Sequence, residues 1–264
     1  MAHDYGVPLS VLSITPTRDN DVAPSTRLPD KHSRLFCGKT LDEWTMLQLW
    51  SSRRITHSVF VCETEEHAGK LELLACKYGV ELIVRPPEML HPLDDSGSIP
   101  VFWAFRKAIA ERYYTLVTMP FVVAPCRPPG FFDDMVTFYC KTFGNPDFIH
   151  DSPQIMGGFR SDLTPYDVSG GRGKQIWTPY LNLNPDLRMS CTNHVLMASW
   201  YYEAQTTLQN SRHDVTITPV IWDIEPWADI HIDTEDHWKE AEFWFREKIL
   251  SKGEDCYESY RRGE

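Results

Sequence analysis

An acidic stretch near the carboxyl end of the chain, DIHIDTEDHWKEAE at 229–242, contains the residue types that bind a divalent metal ion. Asp233 follows a short apolar run and precedes a helical pattern, which places its carboxylate at the end of a predicted strand. Mg²⁺ needs only one or two protein carboxylates when phosphates and water complete its shell. Capping is the alternative interpretation, because Asp233 or Thr234 would also suit the N-cap of the following helix. Both interpretations stay open.

The first long loop, TPTRDNDVAPSTRLPDKH at 15–32, carries positive charge in an otherwise acidic chain. Arg18, Arg27 and Lys31 are spaced along it, and each can pair with a phosphate oxygen. Ligands of open α/β sheets bind beyond the carboxyl ends of the strands, where a loop of this kind lies. A phosphate site is therefore one interpretation, and a solvated surface loop is the other.

Short apolar strands alternate along the chain with amphipathic helical segments. The predicted strands are VPLSVLSI (7–14), SVFVC (58–62), VELIV (80–84), YTLVTM (from 113 onward), TITPVIW (216–222) and ADIHI (228–232). The predicted helices begin at Thr40, with Glu43 in capping-box spacing, and continue at 65–78, 98–112, 130–142, 192–206 and 234–250. This alternation predicts an α/β fold with a mostly parallel, twisted sheet flanked by helices.

The alternation breaks at about 144–190, where Pro, Gly, Asn and Asp are frequent. We expect an inserted loop or arm there, within a single domain over 1–264, because no repeat or linker divides the chain. SGGRGKQ (169–175) is not a Walker loop, since Val168 and Gln175 stand where that motif needs Gly and Ser or Thr. Its composition is typical of a surface loop.

Composition restricts the class of partner. The net charge of -11 over 264 residues disfavours nucleic acid and anionic membrane surfaces. The 7 cysteines form no CxxC pair and lie mostly in apolar runs, as reduced thiols of cytosolic proteins do. The amino-terminal MAHDYGVPLS lacks the basic and apolar regions of a signal peptide. We therefore expect a cytoplasmic protein that is not exported and has no membrane span.

Several motifs follow one another in a set order. A strand precedes Pro-x-Arg, then Ser-x-Arg-Leu-Pro-x-Lys, and then Gly38-Lys39 with Trp44-Thr45. The later motifs are VFVCETEEHAGKLELLACKYGVELIVRPPEML (59–90), DDSGS (94–98), VVAPCRPPGFFDDMV (122–136) and DIHIDTEDHWKEAE (229–242). Over about residues 10–140 and 216–250 the chain resembles the sugar-activating cytidylyltransferases, the family of the CMP-sialic acid (acylneuraminate) and CMP-Kdo synthetases.

The resemblance implies a Rossmann-like nucleotide-diphospho-sugar transferase fold. It also implies an Mg²⁺-dependent reaction in which CTP and an acidic 2-keto sugar give the CMP-sugar and pyrophosphate. A homodimer is implied as well, in which the middle segment reaches across to a neighbour. An aromatic set at 200–202 is a candidate for the dimer surface.

The resemblance also assigns roles to individual positions. The residues expected to bind the nucleotide are Arg18, Arg27, Lys31 and Arg127, of which Arg127 is placed near the base or the sugar carboxylate. Arg18, Lys31 and Asp233 are the expected catalytic residues. Asp233 is the expected magnesium ligand, with His231 beside it where the sialic acid branch has Asp.

Departures from the family pattern concentrate where phosphate is expected. The first loop has no glycine and contains Asp19 and Asp21, which would repel a nucleotide unless they face away or bind metal. His32 stands where the family usually has Asn, and CET at 62–64 replaces Ser-Thr-Asp. Histidine at 231 is a poor ligand for magnesium, which prefers oxygen.

Three functions follow from these observations. The first is the CTP-dependent nucleotidyltransferase, and the second is a catalytically weakened scaffold of the same fold that binds a nucleotide, a sugar or a protein. The third is a transferase with a nucleotide-sugar donor, an enzyme class that usually carries Asp-x-Asp inside the chain. Such spacing occurs here only at Asp19–Asp21 and near the C-terminal segment, which favours the first function.

Overall fold

The computed structural model describes residues 9–19, 28–86, 107, 114, 116–143, 154–160, 187–197 and 220–264. Its strands form one 7-stranded sheet in the order β3-β2-β1-β4-β6-β5-β7. They are β1 (Val11–Pro16), β2 (His57–Cys62), β3 (Glu81–Val84), β4 (Leu116–Thr118), β5 (Gln154–Arg160), β6 (Leu187–Met197) and β7 (Val220–Asp223). Among these strands β6 alone runs antiparallel to its neighbours. The prediction of a mostly parallel sheet is confirmed.

Helices flank the sheet. The α-helices are α1 (Leu41–Ser51), α2 (Glu65–Tyr78), α3 (Phe131–Phe143), α4 (Glu235–Lys248) and α5 (Cys256–Arg262). Short 3-10 helices occupy Pro226–Asp229 and Leu250–Lys252. The predicted helix near 98–112 lies outside the described residues, apart from Lys107.

Helix boundaries follow the capping residues in the sequence. Thr40 accepts a hydrogen bond from the backbone N–H of Glu43 at 3.1 Å, and Thr64 accepts one from His67 at 3.1 Å. Gly79 ends α2 with a φ of 64°, a left-handed conformation that glycine adopts without steric cost. The prediction of a helix at 65–78 is confirmed at both ends.

An aromatic cluster packs the segment after the first loop and α1 against α4. The ring of Phe36 lies 5.5 Å from Trp238 and 5.1 Å from Phe245, centroid to centroid, with edge-to-face geometry. Trp44 of α1 packs against Phe245 at 4.7 Å. Edge-to-face pairs of this kind add about 0.5–1.5 kcal/mol each to the free energy of burial. The cluster therefore fixes α4 against the end of the first loop.

Two predictions in the second half of the chain are wrong. The segment 192–197, predicted as the start of a helix, belongs to β6, which pairs with β4 on one side and β5 on the other. Two neighbouring strands supply the hydrogen bonds of its backbone, and such tertiary context overrides weak helical periodicity. The rest of that predicted helix, and the aromatic set at 200–202, lie outside the described residues.

The segment predicted as a strand at 228–232 is also different. Its start lies in the 3-10 helix Pro226–Asp229, and the remainder is extended chain outside the sheet. Ile232 donates its N–H to the carbonyl of Val123 at 2.8 Å, which ties the segment to the loop after β4. Proline at the first helical position favours the turn that displaces the strand.

The inserted arm expected at 144–190 is partly sheet. Gln154–Arg160 forms β5, and the last residues of the segment begin β6. Strand β5 contains two glycines and no regular alternation of apolar and polar residues. Its sequence therefore resembles a loop, although its backbone pairs with β6 and β7. Residues 161–186, including SGGRGKQ, lie outside the described residues.

The cysteines whose side chains are described are all free thiols, as expected. Within the described part of the chain, none of the helices has the length and apolar character required to cross a membrane.

Candidate functional site

The carboxyl ends of β1, β2 and β3 form one edge of the sheet, and charged residues follow each strand there. The ladder continues one residue beyond the strands, because Thr17 donates its N–H to Val61 at 3.1 Å and Arg85 donates to Cys62 at 3.0 Å. Glu63 is thereby placed beside Arg85, with which it forms an ion pair. This edge is where open α/β sheets bind their ligands.

Arg18 is an exposed residue between two buried ones at this edge. Thr17 and Asp19 are 2% and 6% exposed, whereas Arg18 between them is exposed. The Thr17 hydroxyl donates to the carboxylate of Asp42 in the first turn of α1. In extended chain, neighbouring side chains point to opposite sides. The two buried neighbours therefore direct Arg18 outward.

Asp19 faces α2. Its backbone N–H donates to Glu63 at 2.9 Å, and its carboxylate accepts hydrogen bonds from Lys70 at 3.0 and 3.3 Å. The carboxylate that was expected to repel a nucleotide is thus buried against α2 and neutralised by a lysine. Asp21 and Arg27 lie outside the described residues.

The C-terminal acidic segment meets the first loop through Lys31. Lys31 is 7% exposed, and its ammonium group donates to the carbonyl of Ile232 at 3.0 Å and to Asp233 at 3.4 Å. The other carboxylate oxygen of Asp233 lies 3.2 Å from Nδ1 of His231. Residues from opposite ends of the sequence therefore form one polar cluster at the sheet edge.

The N-cap of α4 is Thr234, whose hydroxyl accepts a hydrogen bond from His237 N–H at 3.2 Å. Capping is therefore the role of Thr234, whereas metal binding by Asp233 stays a prediction. Thr234 caps the helix, while the carboxylate of Asp233 contacts Lys31 and His231. With a side-chain exposure of 28%, Asp233 is accessible to a ligand at this edge.

Arg127 does not lie where the resemblance placed it. Its side chain is fully buried, and its guanidinium group donates to the carbonyl of Phe121 at 2.6 Å and to Gln48 at 3.2 Å. A guanidinium group without exposed surface cannot contact a nucleotide or a sugar. The assignment of Arg127 to ligand binding is corrected to a structural role beneath the loop after β4.

Solved structures resemble this arrangement, although no family model matches the chain and no curated protein matches its sequence. The 4-diphosphocytidyl-2C-methyl-D-erythritol synthase from Anaerococcus prevotii DSM 20548 gives a TM-score of 0.61 at 11% identity, over 90% of this chain and 96% of its own. A CMP:2-keto-3-deoxy-manno-octonic acid synthetase complexed with CTP gives 0.57 at 9% identity, over 91% and 100%. A cytidylyltransferase from Leptospira borgpetersenii serovar Hardjo-bovis (strain JB197) gives 0.52 at 13% identity, over 97% and 94%.

The chain has the cytidylyltransferase fold. The match covers most of this chain and most of each solved structure. The Rossmann-like fold that the motifs implied is thereby confirmed, whereas the residues of the site differ from the family pattern at several positions.

His32 is one such position within the cytidylyltransferase fold. Burial, with a further effect from the charges of Lys31, Arg18 and His67, lowers the pKa of its imidazole to about 3, while Asp19 opposes the shift. The ring is therefore neutral at physiological pH. Within the described part of the chain, its buried Nδ1 atom has no hydrogen-bond partner. The influence of Arg18 and Lys31 on His32 indicates that both cations lie near it.

The described residues offer some of the ligands that a magnesium ion needs. Asp233 offers one accessible carboxylate, which suffices for Mg²⁺ when phosphate oxygens and water supply the other ligands. Among the described residues, no three His, Cys, Asp or Glu side chains are grouped to hold a metal ion by themselves. His231 contacts Asp233 and is suited to orient that carboxylate.

Sequence reasoning missed four polar residues that support this edge. They are Asp42, Glu63, Lys70 and Arg85. Glu63 and Arg85 directly follow predicted strands and were detectable by position, although their ion pair was not. Asp42 lies in the first turn of α1, where acidic residues are common because of the helix dipole, so its contact with Thr17 left no sequence signal.

Proposed function

We propose that the protein is a CTP-dependent nucleotidyltransferase that activates an acidic 2-keto sugar. The hydroxyl oxygen of the sugar forms a bond to the α-phosphorus of CTP. The bond from that phosphorus to the bridging oxygen breaks, and its electron pair leaves with pyrophosphate. The hydroxyl proton passes to solvent. Charge builds on phosphate oxygens during this step, so positioned cations are the main requirement.

The observation that carries this proposal is the junction of Lys31 with Asp233. A lysine of the first loop and an acidic residue 202 positions later meet at the edge of the sheet where ligands bind. Arg18 is exposed at the same edge, and its charge acts on His32, the residue next to Lys31. Arg18 and Lys31 would bind the triphosphate, and Arg27 lies in the same loop.

Asp233 would hold Mg²⁺ in this scheme. The ion supplies neutralisation of phosphate charge when it is bound. Lys31 then shifts from Asp233 toward a phosphate oxygen, since a lysine side chain has a flexible four-carbon stem. The homodimer and the acidic sugar belong to the same proposal and rest on the motif resemblance, not on contacts within this chain.

Calorimetric titration with CTP, ATP, GTP and UTP, with and without Mg²⁺, tests the proposal without knowledge of the sugar. We expect selective binding of CTP that tightens with Mg²⁺. Asp233→Asn keeps the shape of the side chain and removes its charge, so CTP affinity in Mg²⁺ should fall about tenfold, equivalent to about 1.4 kcal/mol. Without Mg²⁺ the variant should bind as well as the wild type or better.

Asp236→Asn is the matched control, because Asp236 is an exposed acidic residue three positions further along the same segment. Its titration should match that of the wild type. Equal binding of all four nucleotides, or a loss in Asp236→Asn as large as in Asp233→Asn, would contradict the proposal.

The scaffold function remains as the second candidate, because Glu63 already occupies the Asp19 N–H that a phosphate-binding loop would offer. Selective CTP binding without release of pyrophosphate, across a panel of acidic 2-keto sugars, would favour this function. Release of pyrophosphate with any of these sugars would exclude it.

A further inference from the structure

The first loop is held on both sides of Arg18 by side chains from two helices and from the sheet edge. We call the three contacts formed by Asp42, Glu63 and Lys70 the loop anchor. In the family that the motifs resemble, glycines let the backbone of this loop approach the triphosphate. This chain has no glycine between residues 15 and 32 and fixes the loop by side chains instead.

The first contact holds the residue before Arg18. Thr17 is buried, and its hydroxyl donates to Oδ1 of Asp42, which is also buried. Asp42 lies in the first turn of α1, a helix that the aromatic cluster packs against α4. Because both partners are buried, water does not compete for this hydrogen bond, and the contact restricts the residue before Arg18.

The second and third contacts hold the residue after Arg18. Glu63, 2% exposed, accepts the N–H of Asp19 through one oxygen and pairs with Arg85 through the other. Lys70 of α2 binds both carboxylate oxygens of Asp19. The backbone and the side chain of Asp19 are thus fixed by different elements.

Together the contacts leave Arg18 as the exposed residue of a short fixed segment. Fixing the backbone of a residue costs conformational entropy, and a segment that has already lost this freedom loses less of it when it binds a ligand. We propose that Asp42, Glu63 and Lys70 are positioning residues that hold Arg18 at the sheet edge for an anionic phosphate ligand. The inference rests on the proposed function, because the ligand of Arg18 is the triphosphate.

The central test compares Thr17→Val with Thr45→Val. Both substitutions remove a buried hydroxyl of similar size, but Thr45 donates to the Leu41 carbonyl inside α1 and does not touch the first loop. We expect Thr17→Val to weaken CTP binding about tenfold and Thr45→Val to leave it unchanged, while both lower the melting temperature to a similar extent.

A double-mutant cycle separates positioning from general destabilisation. If Thr17 acts through Arg18, Thr17→Val should have no further effect on CTP affinity in an Arg18→Met background. The same tenfold loss in both backgrounds would overturn the inference. Lys70→Met should behave as Thr17→Val does, with Lys77→Met on the same helix as the matched control.

Hydrogen exchange measures, without any nucleotide, how strongly the loop anchor restricts the backbone around Arg18. Peptides that cover residues 15–19 should exchange about tenfold faster in Thr17→Val than in the wild type or in Thr45→Val. Unchanged exchange would overturn the inference. A wild-type protein that does not bind CTP contradicts the proposed function, and the exchange rates then decide separately whether the anchor fixes the loop.

Discussion

At the scale of single residues, Asp19 explains how an acidic residue fits in a loop proposed to bind a triphosphate. Its carboxylate contacts Lys70, and its N–H contacts Glu63, so its charge is directed into the protein. Burial raises the pKa of Glu63, while the Asp19 N–H and Arg85 oppose that shift. The side of the loop that faces solvent is left to Arg18.

Asp42 makes the stability of the protein depend on pH. Burial raises the pKa of its carboxyl from 3.8 to about 7, against the opposing effect of the Thr17 hydrogen bond. Between these values the folded chain keeps a proton that the unfolded chain has released. The contribution of Asp42 to stability is therefore present below pH 3.8 and is lost as the pH rises to about 7.

Asp42→Asn removes this titration while keeping the shape of the side chain. The free energy of unfolding of the variant, relative to the wild type, should rise by up to about 1.4 kcal/mol per pH unit within the window. Urea unfolding at several values between pH 4 and pH 7 measures it. Glu72→Gln, an exposed substitution on α2, is the control and should show a constant difference. A constant difference for Asp42→Asn would contradict the assignment.

At the scale of elements, the start of α4 separates helix capping from ligand binding. Thr234→Ala removes the hydroxyl that accepts the His237 N–H, so the free energy of unfolding should fall by about 1 kcal/mol. CTP affinity should change less than twofold, because the carboxylate of Asp233 is retained. Chemical denaturation and calorimetry on the same sample measure both quantities. A loss of affinity comparable to that of Asp233→Asn would show that the two roles are not separable.

The elements that local signals determine were predictable. Helix α2 follows from Thr64 and Gly79 at its two ends, and strands β1 to β3 follow from short apolar runs. Strand β6 was not predictable as a strand, because its state depends on β4 and β5, which lie far from it in sequence. The 3-10 helix at Pro226–Asp229 was missed because Ile230 and Ile232 suggested a strand through it.

The candidate site was predictable in part, for the same physical reason. Motif order brought Lys31 and Asp233 together, and the structure places them 3.4 Å apart. The order of the motifs did not indicate which side chains are buried. Arg127 was therefore assigned to the ligand, although its guanidinium group lies beneath the surface. Buried ion pairs such as Glu63 with Arg85 join separate strands, and a single sequence carries no signal for such a pairing.

At the scale of the whole molecule, the last helix completes the core beside Arg127. The hydroxyl of Tyr257 on α5 donates to the Arg127 carbonyl, and Gln48 of α1 donates to that hydroxyl at 3.2 Å. Tyr257→Phe should therefore lower the free energy of unfolding by about 1–3 kcal/mol, since it leaves buried polar groups unsatisfied.

Urea unfolding measures this loss, and CTP affinity should stay unchanged because Tyr257 lies inside the core. Tyr78→Phe is the matched control, because the Tyr78 hydroxyl makes a longer contact, 3.4 Å from Glu43. A loss in Tyr257→Phe no larger than in this control would show that the network adds little to stability.

The contact between Lys31 and Ile232 also determines when the proposed site can form during synthesis. The two residues are 201 positions apart, so Lys31 leaves the ribosome long before its partners exist. At about 5–20 residues per second, the delay is on the order of ten to forty seconds. Strands β1 to β3 pair locally and can form in that interval. A chain released early would keep its first loop but lack Asp233, and would fold in part without gaining the proposed magnesium site.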